Sequence, residues 1–248
     1  MNPEYYNKLL DVIRDEASQK VKYFREVEDT KSMQESQAIQ KSIPEKNRSY
    51  LRASEIGDCI RKLYFRLSGV IPDPIEPEKV YPYLDIAAEI GNTIHNKILS
   101  DKSIYMLTEY SFSYDDLPLS IHGRLDGLTH DGIIVEVKTI DDINRSDIPK
   151  KEHIAQLSLY IFLAQKLLPD IEIRGAELKY VSRGKINMKS FPFNLDEMRK
   201  VYTLLLNKIS KLSNYLIEHK VPSLKDQFID KSQCRFCEFK STCQRLNF

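Results

Sequence analysis

A chain of 248 residues can fold as one large domain or as a medium domain with an appendage. Hydrophobic residues make up 42%, with 14 Tyr and 10 Phe, enough for a real core. Lys and Arg number 37 against 36 Asp and Glu, so global charge does not mark a nucleic-acid binder and any such surface must come from local clustering. No apolar run approaches the roughly 20 residues of a membrane span, and the charged start MNPEYYNKLLDVIRDE lacks the apolar stretch of a secretory signal. The expectation is a soluble cytoplasmic protein with no membrane partner, where cysteines are ligands sooner than disulfides.

Residues 3–27 read as a helix, with Tyr6, Leu9, Leu10, Ile13 and Val21 on one face, and residues 28–50 as a polar arm. A compact body starts near Leu51. Ser54 is placed to cap a helix carrying Ile56, Ile60, Leu63, Tyr64 and Leu67, stopped by Gly69. A Pro-rich loop follows, and then a helix from Leu84 to Leu99 that includes Gly91, Ile94 and His95. Three strands are predicted over Tyr105–Ser113, Leu119–Leu128 and Gly132–Thr139, with turns at Asp115-Asp116 and His130-Asp131-Gly132. A helix from Glu152 to Leu168, strands over Gly175–Ser182 and Lys185–Phe193, and a helix from Leu195 to His219 complete the pattern. The last helix opens with Asn194 and Glu197 in capping-box positions. This order predicts a mixed α/β sandwich.

The stretch GRLDGLTHDGIIVEVKT carries the chemistry. Asp126 lies near the end of one strand, while Glu136 and Lys138 lie two apart on the next and share a sheet face with Ile134. An acid and a lysine within an apolar strand are costly unless they are paired or bind something. Two carboxylates aimed at one spot repel, and an oxygen-ligating divalent cation relieves that repulsion. Such an ion polarises a phosphodiester and makes hydroxide available, with Lys138 beside it to orient water. The ordinary alternative is a solvated Glu–Lys pair, and Asp126 in a strand–turn–strand context tips the balance toward a site. His95, alone on an apolar helix face, would otherwise be a core residue. Gln156 and Tyr160 stand one helical turn apart and face the same way.

Cys234, Cys237 and Cys243 close the chain and Cys59 lies far upstream. Together they form a four-thiolate set whose spacing alone does not separate tetrahedral zinc from an iron–sulfur cluster. Arg61, Lys62 and Arg66, with Arg235, Lys240 and Arg245, are candidate phosphate contacts, though each reads more simply as a solvated charge. Tyr64 and Phe65 are candidate base-stacking residues or core.

Asp126 followed by Glu136-Val137-Lys138 resembles the PD-(D/E)XK nuclease signature. Gly91-Asn92-Thr93-Ile94-His95 and Gln156-Leu157-Ser158-Leu159-Tyr160 resemble the G-x-x-x-H and Q-x-x-x-Y motifs of its RecB-like branch. Ser54-Glu55-Ile56-Gly57-Asp58-Cys59-Ile60-Arg61-Lys62-Leu63-Tyr64, with the C-terminal cysteines, resembles the split iron–sulfur domain of that branch's exonucleases. This pattern is similar to the fourth CRISPR-associated protein family and to its viral and phage relatives. The resemblance implies a restriction-endonuclease-like sheet flanked by helices and closed by a four-cysteine domain. It divides the chain into an N-terminal helix and arm (1–50), a first iron–sulfur half (51–83), a nuclease core (84–220) and a second iron–sulfur half (221–248).

The resemblance further implies an exonuclease on single-stranded DNA ends, in CRISPR spacer acquisition with integrase partners or in viral or phage replication and recombination. Mn²⁺ or Mg²⁺ would be held by His95, Asp126, Glu136 and the Val137 carbonyl. Lys138, Gln156 and Tyr160 would be catalytic, and a [4Fe–4S] cluster would sit on Cys59, Cys234, Cys237 and Cys243. An oligomer is compatible with this reading. A non-catalytic DNA-binding scaffold would instead predict a broken set of catalytic residues, and a zinc protein without nuclease activity would make the motif a coincidence.

Overall fold

The computed structural model describes residues 48–74, 83–184, 187–223 and 231–246. The helix expected over residues 3–27 and most of the polar arm lie outside the described residues. The elements in chain order are β1 (Tyr50–Arg52), a 3-10 turn (Ala53–Glu55), α1 (Ile60–Leu67), α2 (Tyr83–Leu99), β2 (Tyr105–Tyr114), β3 (Ser120–Thr129) and β4 (Ile133–Ile140). Then come α3 (Lys151–Leu167), β5 (Gly175–Ser182), β6 (Met188–Phe193), α4 (Leu195–Ile217), a second 3-10 turn (Lys231–Phe236) and α5 (Lys240–Arg245).

The long elements fall where periodicity places them. Two local expectations are corrected. The helix expected from Ser54 starts at Ile60, because Ala53–Glu55 closes a 3-10 turn first and Cys59, with an extended ψ of 132°, takes the cap position. Tyr50, expected in the arm, opens a strand three residues long, too short to show a period. The capping box at α4 is present: the Asn194 side chain accepts from the Glu197 amide at 2.9 Å, and the Asn194 amide donates to the Glu197 carboxylate at 3.2 Å.

The six strands form one mixed sheet in which β3 is the hub. β2 pairs antiparallel along most of β3. β1 pairs parallel with Ser120–His122, and β4 pairs antiparallel only at Gly127 and Leu128. Beyond β4 come β5, parallel through the α3 crossover, and β6, antiparallel. Gly132, at φ +77°, makes the β3–β4 turn, and a Cβ there would stand 2.1 Å from the Glu172 carbonyl oxygen.

Helices cover both faces, giving an α/β fold of a mixed sheet between helical layers. Ile134, Leu178 and Tyr180 pack with Leu157 and Ile161 of α3, Ile209 and Leu212 of α4, and Leu63 and Phe65 of α1. Val135, Val137 and Val181 pack on the other face against Ile94 and Ile98 of α2. Burying each such side chain contributes about 1.5–3 kcal/mol, which explains why β4 is apolar on both sides except at Glu136, Lys138 and Thr139. No helix among the described residues is long and apolar enough to cross a membrane.

The C-terminal segment docks on α1. Phe239 is buried against Phe65, ring centroids 5.5 Å apart. Arg66 pairs with Glu238, and Arg61 donates to the Pro222 carbonyl at 2.9 Å and to Cys243 Sγ at 3.2 Å. Phe239→Ala is expected to lower stability by about 3 kcal/mol, read as an earlier midpoint in a urea melt with unchanged slope.

Candidate active site

The site lies where β3 and β4 part. Their ladder runs through Leu128–Ile134 and Gly127–Val135 and then stops. One residue further along, the Val137 amide donates to the Asp126 carboxylate at 2.8 Å. A side chain thus takes the donor that a longer ladder would use. The fork opens a cleft of about 460 Å³, lined by His95, Asp126, Glu136, Val137 and Lys138. Tyr50, Arg52, His122 and Arg124 line it as well.

Each wall contributes for a local reason. In α2, a Cβ on Gly91 would fall 2.8 Å from the Thr139 hydroxyl, so glycine lets the helix lie against β4. His95, one turn later, then reaches Asp126 with Nε2 2.9 Å from Oδ2, while Nδ1 lies 3.2 Å from Glu109. Glu136 is 1% exposed. Its Oε1 meets Lys138 Nζ at 2.5 Å, while its Oε2 is buried with no hydrogen-bond partner. Lys138 Nζ also donates to Gln156 Oε1 at 3.0 Å, Gln156 Nε2 donates to the Tyr160 hydroxyl at 2.8 Å, and that hydroxyl donates to the Arg124 carbonyl at 2.8 Å. The structure therefore gathers His95, Asp126, Glu136, Val137, Lys138, Gln156 and Tyr160 around one cleft.

The electrostatics are those of crowded acids. Burial, followed by the charge of Asp126, pushes the Glu136 carboxyl up to about 8, against the opposing pull of Lys138 and His95. Burial works against a charge on His95, but its hydrogen bond to Asp126 and the charges of Asp126, Glu109 and Glu136 outweigh it and raise its pKa. His95, Glu109 and Asp126 offer ligand atoms within 4.8 Å of one another. The orphaned Oε2 and this mixed nitrogen–oxygen donor set fit a divalent cation.

A family model of the PD-(D/E)XK nuclease superfamily matches residues 83–244. The chain belongs to that superfamily. Among solved structures it is similar to SSO0001, at 18% identity and a TM-score of 0.49, covering 83% of this chain and 91% of that one. It is also similar to an alkaline exonuclease of Laribacter hongkongensis, at 13% identity and a TM-score of 0.41, covering 69% and 93%. A stretch of Nuclear anchorage protein 1 of Caenorhabditis elegans is 24% identical over 219 residues, 88% of this chain and 2% of that protein's length.

In this member of the PD-(D/E)XK nuclease superfamily the sequence motifs omit several residues in or beside the cleft. Glu109 belongs to no motif, and nothing in the alternation of β2 distinguishes it. Tyr50 and His122 stack with ring centroids 4.0 Å apart, an arrangement that depends on β1 pairing with β3. The basic residues of α1 do not face outward as candidate phosphate contacts. Arg61 is buried, Lys62 pairs with Asp58 at 2.8 Å, and Arg66 with Glu55 and Asp58 at 3.0 and 3.1 Å. Tyr64 and Phe65 are core. The four cysteines are free thiols, and among the described residues no three of them converge within the 4.8 Å spacing of the His95 group. Burial raises the pKa of Cys59 and Cys237, and Cys237 and Cys243 add smaller upward shifts at Cys59.

Two tests follow from these contacts. Glu136 binds its proton more tightly folded than unfolded, so chelator-treated protein is expected to lose stability as pH rises from about 5 to 8. Glu136→Gln is expected to remove that slope and to stabilise the chelated protein at pH 8 by on the order of 2 kcal/mol, read from melts at both pH values. Tyr160→Phe leaves the Arg124 carbonyl without this donor and is expected to cost about 1–3 kcal/mol, measured in the same melts.

Proposed function

We propose that this chain is a divalent-metal-dependent DNA exonuclease acting on single-stranded ends. The observation that carries the reading is Glu136: a fully buried carboxylate with one oxygen unpartnered, facing Asp126 and His95 in an open cleft. His95, Asp126, Glu136 and the Val137 carbonyl would hold a Mn²⁺ or Mg²⁺ ion, which would supply Lewis-acid polarisation of the scissile phosphate and activation of water near neutral pH. The imidazole among the donors favours Mn²⁺.

The chain's own groups do the rest. Asp126 is fixed by the Val137 amide and ion-pairs with His95. Lys138, anchored on Glu136 and Gln156, presents an ammonium beside the reacting phosphate, where it orients water and stabilises charge developing on oxygen. Gln156 and Tyr160 act through Lys138 as positioning residues. Arg52, Arg124, Tyr50 and His122 form the wall along which phosphates and a terminal base would lie.

Cys59, Cys234, Cys237 and Cys243 are proposed to hold a [4Fe–4S] cluster with a structural role. The nearness of Cys237 and Cys243 to Cys59, both felt electrostatically there, supports it, as does the docking of the C-terminal segment on α1.

Protein purified without oxygen and incubated with end-labelled single-stranded DNA and Mn²⁺ tests both parts. Stepwise shortening from an end, reduced at least about 10³-fold by Glu136→Ala with Lys138→Ala, and a brown sample with broad visible charge-transfer absorption are expected. Intact DNA with wild-type protein would sink the nuclease reading. A colourless sample containing zinc would sink the cluster alone.

A further inference from the structure

His95 presents its two ring nitrogens to different carboxylates, Nε2 to Asp126 at 2.9 Å and Nδ1 to Glu109 at 3.2 Å. His95, Glu109 and Asp126 lie close enough together to share an ion, but an imidazole coordinates it through one nitrogen, and the two nitrogens here face different carboxylates. The cleft decides between them. Asp126, Glu136 and Val137 line it with His95, and Glu109 is absent from its lining. Nε2 therefore faces the cation site, and Nδ1 faces away from it.

We propose that Glu109 is the positioning carboxylate that holds His95 for metal binding, by accepting Nδ1–H and leaving the Nε2 lone pair directed into the cleft. The inference rests on the metal-site reading above. Glu109 Oε1 is buried without a hydrogen-bond partner, and His95 Nδ1 stands 3.2 Å from it. Its other oxygen, Oε2, is gripped by Arg124 Nε at 2.6 Å, which fixes the carboxylate in place. A ligand histidine whose second nitrogen donates to a carboxylate has its tautomer and ring orientation set and its basicity raised.

The backbone supports a dedicated role. Glu109 stands at φ 53°, the left-handed region that a long side chain rarely adopts, within an otherwise extended β2. This conformation aims the side chain at α2 and Arg124. Arg124 completes the connection: its carbonyl accepts from Tyr160, so the residue that grips Glu109 is itself tied to the Lys138 chain.

The test reads Mn²⁺ binding by calorimetry and by the electron paramagnetic resonance of free Mn²⁺, on the full chain. Glu109→Gly removes the carboxylate at a position whose φ suits glycine, so the melting temperature is expected to hold. Mn²⁺ affinity is expected to fall about 10- to 100-fold. Glu109→Gln, which keeps an acceptor oxygen without charge, is expected to fall between the two. In a His95→Ala background, Glu109→Gly is expected to weaken binding no further, because the carboxylate acts only through the imidazole. Unchanged affinity in Glu109→Gly, or a second full loss on top of His95→Ala, would overturn the positioning role alone. Absence of Mn²⁺ binding by the wild type would overturn the metal-site reading and this inference with it.

Discussion

Two carboxylates buried side by side repel each other, and the sheet holds them there by ending one of its own ladders. Where β3 and β4 diverge, the Val137 amide turns to the Asp126 side chain. That single substitution of a carboxylate for a main-chain carbonyl fixes Asp126 at the base of the fork and leaves Glu136 facing it. Burial, and after it the repulsion from Asp126, push the Glu136 carboxyl upward. Lys138 and His95 offset part of it, and one Glu136 oxygen still has no partner. The cleft is a place where polar satisfaction has been left incomplete inside a well-packed core, the condition under which a ligand binds with large effect.

The two groups that soften the repulsion are tied to opposite helical layers. Lys138 reaches α3 through Gln156, and His95 arrives from α2, which packs on the other face of the sheet. Only the fork lets side chains from both layers meet, since a continuous ladder would separate them by a closed sheet. The near approach of α2 at Gly91 and the α3 crossover between β4 and β5 thus serve the same cleft.

Much of this was legible in the residues. The spacing of Glu136 and Lys138 on a strand, and of Gln156 and Tyr160 on a helix, fixes which side chains share a face, and period alone carries that information. Capping at Asn194 is equally local. Glu109 was invisible because its role depends on a left-handed backbone angle and on where α2 and Arg124 arrive, neither of which leaves a pattern in β2. The basic face of α1 was illegible for a related reason: Arg61, Lys62 and Arg66 share a turn spacing, but Lys62 pairs with nearby Asp58 while Arg61 and Arg66 also reach Pro222, Cys243 and Glu238 far along the chain. β1 went unseen because three residues cannot show alternation.

The inward turn of those arginines connects the thiol segment to the cleft. Arg61 and Arg66 clasp the C-terminal segment to α1, while Lys208 of α4 donates to the carbonyls of Ile56 and Asp58 just before Cys59. A few residues upstream, Tyr50, Arg52, Ala53 and Ser54 are already cleft wall. One short stretch of chain thus has the cleft at one end and a cysteine at the other, pinned between them by a buried ammonium. Burial draws the Lys208 pKa down to about 8, so the clamp is itself close to discharge in mildly basic solution. The position of the Tyr50–His122 wall depends on how firmly the segment ending at Cys59 is held, and that in turn depends on α1, α4 and the docked C-terminal segment acting together.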